Sequence, residues 1–126
     1  DIKKKYNKNF AGVDACMADL MRPGMYGSYH NMYNLSNLNS NNPERYNIVG
    51  SLCENNDWFA EDRLIDKISR DDIIVIKDVG AHSHSMGFNY NSKLRPAEIL
   101  ATKDGDLKLI RKKETFEDLV RNQVIN

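Results

Sequence analysis

Apolar residues along this chain recur in short runs or at alternate positions, the pattern of strands rather than of long helices. The lysine-rich start reads as one arm of a hairpin, with Asn7 and Asn9 as turn residues leading into Phe10-Ala11-Gly12-Val13. Over 14–22 the spacing becomes roughly helical (Ala15, Met17, Ala18, Leu20, Met21), and Pro23-Gly24 is expected to stop that short helix or turn. Aromatic alternation predicts a strand over 26–35, and the Asn-dense stretch 36–43 a loop. Further strands are expected over 45–52, 58–60 and 73–79, the last ended by Gly80. Residues 95–102 and 106–111 form a hairpin across Lys103-Asp104-Gly105, whose Asp-Gly pair is a strong turn signal. A short helix over 115–120 closes the chain, with Thr115 as cap and Phe116, Leu119 and Val120 on one face. Many short strands with one or two small helices define a mainly β barrel or sandwich.

Composition narrows the picture without adding chemistry. The 126 residues are one domain's worth of chain, 40% hydrophobic and 29% charged, enough for a core without staples. Lys plus Arg and Asp plus Glu are 18 each, so no basic excess favours nucleic acid or an anionic membrane. The longest apolar runs, such as Ile73-Ile74-Val75-Ile76, are too short for a membrane helix. Two separated cysteines, Cys16 and Cys53, with no signal peptide before them, point to free thiols in a reducing, cytoplasmic setting. Neither has a second Cys or a His at ligand spacing, so no metal site is expected. His82 and His84 would share a face if they lay on a strand, yet two imidazoles without a third ligand do not make a site. They are expected at the surface or hydrogen-bonded. Because Asp1 opens the chain without Met, inside what already looks like a hairpin arm, the sequence reads as a piece of a longer chain.

The stretch Ser-Leu-Cys-Glu-Asn-Asn-Asp-Trp, 51–58, sets a thiol and a carboxylate side by side among turn-forming residues. On residue type alone, Cys53 reads as a small buried hydrophobe, Glu54 as a solvated charge and Asp57 as a turn stabiliser. Arg22 and Tyr26 lie four apart in Arg-Pro-Gly-Met-Tyr, where a guanidinium fork suits a carboxylate ligand and a helix-capping arginine beside a core tyrosine is the plain alternative. Tyr90, in Phe-Asn-Tyr-Asn, reads as a packed aromatic whose hydroxyl meets backbone. Asn89 and Asn91 read as turn formers.

Taken together, Val-Asp-Ala-Cys-Met-Ala-Asp-Leu-Met-Arg-Pro-Gly-Met-Tyr-Gly-Ser-Tyr-His (13–30), the segment 49–63 and the segment 78–100, with its Phe-Asn-Tyr-Asn and Arg-Pro-Ala-Glu, resemble the C-terminal domain of the diaminopimelate decarboxylases. These are enzymes of the alanine-racemase-like, fold-type III family that use pyridoxal 5'-phosphate (PLP). The resemblance covers nearly the whole chain, and implies that residues 1–126 are a C-terminal β domain lacking its first strand and separated from an N-terminal β/α barrel that carries the PLP lysine. It implies decarboxylation of meso-2,6-diaminopimelate to L-lysine and CO2, as in lysine biosynthesis, by a homodimer with shared active sites. This chain alone is then expected to be inactive.

The same resemblance gives roles to the singled-out residues. Cys53 is expected as the catalytic acid, returning a proton to the substrate's α-carbon from the neighbouring subunit. Glu54 would bind the distal ammonium, Arg22 the distal carboxylate with Tyr26 in support, and Tyr90 the PLP phosphate. Arg95-Pro96-Ala97-Glu98 is expected to be structural, through an ion pair and a rigid lead into a strand. Gly-Ala-His82-Ser-His84 departs from the family pattern, which has an aromatic residue at position 82 followed by glycine. Cys16 is expected to be buried and inert. An ornithine-, arginine- or carboxynorspermidine-type decarboxylase is the alternative within the fold, disfavoured by Cys53-Glu54 and by Arg22's call for a distal carboxylate. A non-catalytic β-domain binding module is the alternative outside it.

Overall fold

The computed structural model describes residues 1–124, so the last two positions of the expected domain lie outside the described residues. The chain divides into two compact units, Asp1–Gly87 and Phe88–Asn126. The mainly β expectation is met by the chain as a whole, with three short α-helices among the described residues where one or two were expected.

In the first unit, β1 (Ile2–Lys5) and β2 (Lys8–Gly12) form the expected antiparallel hairpin. Its two-residue turn is Tyr6-Asn7, both with positive φ (49° and 59°), the backbone twist that matches flanking strands. Asn9 is already in the strand, paired with Tyr46. The chain then leaves the sheet for α1 (Arg22–Tyr26) and β3 (Met32–Asn34). It returns as β4 (Pro43–Val49), parallel to β2, and turns back as β5 (Trp58–Asp66), antiparallel to β4. The sheet order is β1-β2-β4-β5. A two-stranded ribbon pairs β3 with β6 (Ile74–Ile76).

The core lies where these elements converge: Ala11, Leu20, Met32, Tyr46, Ile48, Phe59, Ala60, Ile65 and Ile68. Ile48 is fully buried and Phe59 nearly so, each stabilising the unit by roughly 1.5–3 kcal/mol through removal of apolar surface from water. Buried Tyr46 keeps its hydroxyl satisfied by accepting from Ile68 N–H (3.2 Å) and donating to Glu44 (3.0 Å), and burial raises its pKa. The β4–β5 register shifts beside Asn47, whose side-chain oxygen accepts the Asp62 N–H at 2.8 Å in place of a ladder partner.

Several expected boundaries move. Pro23-Gly24 does not stop a helix but sits at the start of α1, because proline at a first helical position loses no bond it would have made. The strand expected over 26–35 shrinks to β3, since Tyr26 ends α1 and Gly27 terminates it with φ +64°. The strand expected over 58–60 extends to Asp66, and that over 73–79 contracts to Ile74–Ile76. His82 and His84 lie not on a strand but at and within the single-turn α2 (Ser83–Met86), so they do not share a strand face.

The second unit holds the antiparallel hairpin of β7 (Glu98–Ala101) and β8 (Leu107–Arg111), and then α3 (Phe116–Val120). Gly105 in its turn adopts φ +89°, as the Asp-Gly signal requires. Glu98 pairs with Arg111 across the hairpin at 2.7 Å. At α3, Thr115 is the N-cap, and Asp118 reaches back to its N–H at 2.9 Å. Among the described residues, no helix is long and apolar enough to cross a membrane, and no group of three or more His, Cys, Asp or Glu could hold a metal ion.

Candidate functional site

Two loops of the first unit carry most of the singled-out residues, and one close approach joins them. Gly24, inside α1, packs so tightly on the 53–57 loop that an added Cβ would collide with the Asn56 carbonyl oxygen and sit 2.9 Å from its carbon. Only hydrogen fits there. The Arg-Pro-Gly-Met-Tyr helix and the Cys-Glu-Asn-Asn-Asp loop are thereby brought together, although 27 positions separate Tyr26 from Cys53.

The 50–57 loop is held from inside by Asp57, which is only 5% exposed. Its carboxylate accepts the N–H of Met17 at 2.6 Å and that of Leu52 at 2.5 Å, tying the 16–20 turn to the start of the loop. Its backbone carbonyl accepts Gly50 N–H at 2.8 Å, and a Cβ on Gly50 would overlap the carboxylate. The turn-stabilising reading of Asp57 is correct, on a larger scale than one turn. What sequence reasoning missed is Gly24 and Gly50, whose positions beside Pro23 and before Ser51 look like ordinary turn glycines.

On this frame Cys53 is exposed, not the buried hydrophobe that its residue type suggests. Glu54 is half-buried, and its Oε1 accepts the backbone N–H of Asn56 at 3.2 Å and the Asn56 amide at 3.3 Å. Local bonds thus orient the carboxylate from one side. Arg22 is half-buried. Its Nε and Nη2 each lie 3.4 Å from Ser28 Oγ, and among the described residues it meets no carboxylate. Tyr26, at 64% exposure, is not a core residue. Tyr90 belongs to the second unit, in a single 3-10 turn (Tyr90–Ser92), 41% exposed and tilted against Phe88 at 6.3 Å between ring centres. Its hydroxyl forms no hydrogen bond among the described residues, so the expectation of a backbone partner is not met. Asn89 spans its loop from Lys93 O (2.9 Å) to Glu114 (2.6 Å), as a turn former should.

The second cysteine behaves otherwise. Cys16 is fully buried, its thiol donating to Asp19 at 3.3 Å, and burial first, then the Asp19 charge, pushes its pKa up. That suppresses the thiolate and with it reactivity.

The first unit thus carries an exposed thiol, a locally bonded carboxylate and a guanidinium with no carboxylate partner among the described residues, on two segments that meet at Gly24 and Asn56. Residues 1–80 match the family described as "Pyridoxal-dependent decarboxylase, C-terminal sheet domain". The chain belongs to this family. It is 48% identical over 111 residues to Protein TabA of Pseudomonas amygdali pv. tabaci, covering 88% of this chain and 26% of that protein. It is 43% identical over 122 residues to the diaminopimelate decarboxylase of Methanothermobacter thermautotrophicus, covering 97% of this chain and 28% of that enzyme. The structure superposes on that of M. jannaschii diaminopimelate decarboxylase in co-complex with L-lysine with a TM-score of 0.90 at 39% identity, over 100% of this chain and 28% of that one. The chain therefore spans little more than a quarter of the length of these relatives.

Proposed function

We propose that this chain is the C-terminal domain of a PLP-dependent decarboxylase that removes CO2 from the D-centre of meso-2,6-diaminopimelate to give L-lysine. The observation that carries the reading is the junction of two loops at Gly24 and Asn56. It sets an arginine with no carboxylate partner among the described residues on one side, and an exposed thiol beside an oriented carboxylate on the other. A substrate with a carboxylate and an ammonium at its distal end offers one partner to each of Arg22 and Glu54.

Bound PLP supplies the electron sink for loss of CO2. The residues present fit a supporting place beside it: Tyr90 offers a hydroxyl donor that no described residue engages, suited to a phosphate oxygen. Arg22 then holds the distal carboxylate, with Tyr26 beside it on the same helix. Glu54 holds the distal ammonium and rejects substrates of the wrong length. Cys53 gives its Sγ proton to the substrate's α-carbon after CO2 has left, as a general acid.

In this reading the enzyme is a cytoplasmic homodimer, and Cys53 and Glu54 serve the partner's site. Each site then takes its Arg22 from one protomer and its Cys53 and Glu54 from the other. The junction of Gly24 and Asn56 fixes the two motifs relative to each other rather than within one site. The test mixes two full-length variants, Cys53→Ala and a substitution of the PLP lysine, each nearly dead alone. If sites are shared, a mixed dimer has one site with neither lesion and one with both. Random assortment then restores roughly a quarter of wild-type diaminopimelate turnover. A mixture that stays dead, with mixed dimers confirmed by mass spectrometry, refutes the shared site. Wild-type enzyme that releases CO2 from ornithine or arginine faster than from diaminopimelate refutes the substrate.

A further inference from the structure

Arg22 is a long, flexible side chain, and a carboxylate clamp needs its fork fixed before the ligand arrives. The structure supplies one contact that does this. Ser28 Oγ lies 3.4 Å from both Nε and Nη2 of Arg22, so a single oxygen sits astride one edge of the guanidinium. Of the five N–H donors, that edge uses two, which leaves both hydrogens of Nη1 and one of Nη2 as an end-on fork.

Ser28 is itself held in place from both directions. On its N-terminal side, Gly27 turns the chain through φ +64° and donates to Pro23 O at 2.9 Å, and Ser28 N–H then donates to the carbonyl of Arg22 itself at 3.3 Å. Residue 28 is thus bonded to residue 22 through main chain and side chain together. On its C-terminal side, the Arg63 guanidinium stacks on the Tyr29 ring at 4.1 Å and donates to His30 O at 2.7 Å. The buried His30 ring donates from Nδ1 to Lys77 O at 3.0 Å, since a carbonyl can only accept. The hydroxyl therefore has a rigid mount on β5 and on the strand pair beyond it.

We infer that Ser28 is a positioning residue for substrate selection, holding the Arg22 fork end-on toward the distal carboxylate. It touches no reacting atom. This inference rests on the proposed role of Arg22, and its test separates the two.

In the PLP-loaded full-length enzyme, Ser28→Ala raises KM for diaminopimelate, and the inhibition constant of L-lysine, together by about three- to tenfold, the range expected for one weak hydrogen bond to a charged group. The kcat, and the inhibition constant of 1,5-diaminopentane, which has no carboxylate, stay within about twofold. A merely structural lesion would weaken both inhibitors alike. Because Ser28→Ala could disturb folding, the pair Ser28→Thr and Ser28→Val repeats the comparison with nearly equal shapes: threonine restores wild-type KM and valine does not. Overturning results are an L-lysine constant unchanged in Ser28→Ala, equal losses for both inhibitors, or threonine and valine behaving alike. Arg22→Lys decides which claim has failed. If it raises KM while Ser28→Ala does not, only the Ser28 inference falls. If it leaves KM unchanged, the role of Arg22 falls first.

Discussion

Replacing Asp57 by alanine should cost the first unit roughly 3–5 kcal/mol, more than any exposed residue of the candidate site. The figure follows from its two carboxylate bonds. Met17 N–H at 2.6 Å and Leu52 N–H at 2.5 Å both end on a side chain that is 5% exposed, and Met17 is buried as well. A hydrogen bond to an ionised acceptor is worth about 1.5–3 kcal/mol, and a buried donor left behind keeps its desolvation cost. Asparagine keeps one acceptor but turns an NH2 toward the other backbone N–H, so Asp57→Asn should lose about half as much. Urea midpoints taken with the wild-type slope measure the total. Hydrogen exchange at Met17 and Leu52 measures it locally, and the Asp57→Ala loss corresponds to roughly two to four decades of protection. If Asp57→Ala lowers stability by less than about 1 kcal/mol and leaves both amides protected, the anchoring argument is wrong.

Gly24→Ala should cost about 1–3 kcal/mol by overpacking against Asn56 backbone and raise KM for diaminopimelate, whereas Gly27→Ala, with open space but φ +64°, should cost only about 1 kcal/mol with KM unchanged; equal KM values would reject the junction. Asp72 accepts from Ser69 N–H (2.7 Å) and the Asn34 amide (2.8 Å), and these bonds hold its pKa below the ordinary 3.8. Because the folded value is the lower one, its stabilisation is present above pH 3.8 and lost as pH falls through the folded value. The stability gap between wild type and Asp72→Asn should therefore be constant near neutrality and shrink in strong acid, and a gap unchanged down to about pH 2 would contradict this.

Local chemistry was legible wherever neighbouring residues decide the outcome. Asp104-Gly105 specified its hairpin, and Thr115 specified the start of α3, since turns and caps are settled within four residues. Strand lengths were not legible. The polar stretch Glu61-Asp62-Arg63 lengthens β5 because its partner β4 is already there to pair with, a decision made across the sheet. Pro23 misled for a related reason: the same residue ends one helix and begins another, and only the downstream chain tells which.

The candidate site divides along the same line. Cys53, Glu54, Arg22 and Tyr26 could be singled out through the motifs that resemble the family's, since on residue type alone Cys53 reads as a buried hydrophobe and Glu54 as a solvated charge. The groups that fix them could not, because neither a missing side chain nor a single hydroxyl shows in the sequence which residue it will meet. Gly24 matters through the hydrogen that stands where Asn56 leaves no room for a methyl group. Ser28 matters through a hydroxyl delivered to Arg22 by a backbone bond to that same residue. Asp57 looked like one more turn residue among asparagines, yet its carboxylate reaches back forty positions to Met17. A motif thus marks which atoms would meet a substrate, while their placement depends on contacts between segments that the motif does not contain.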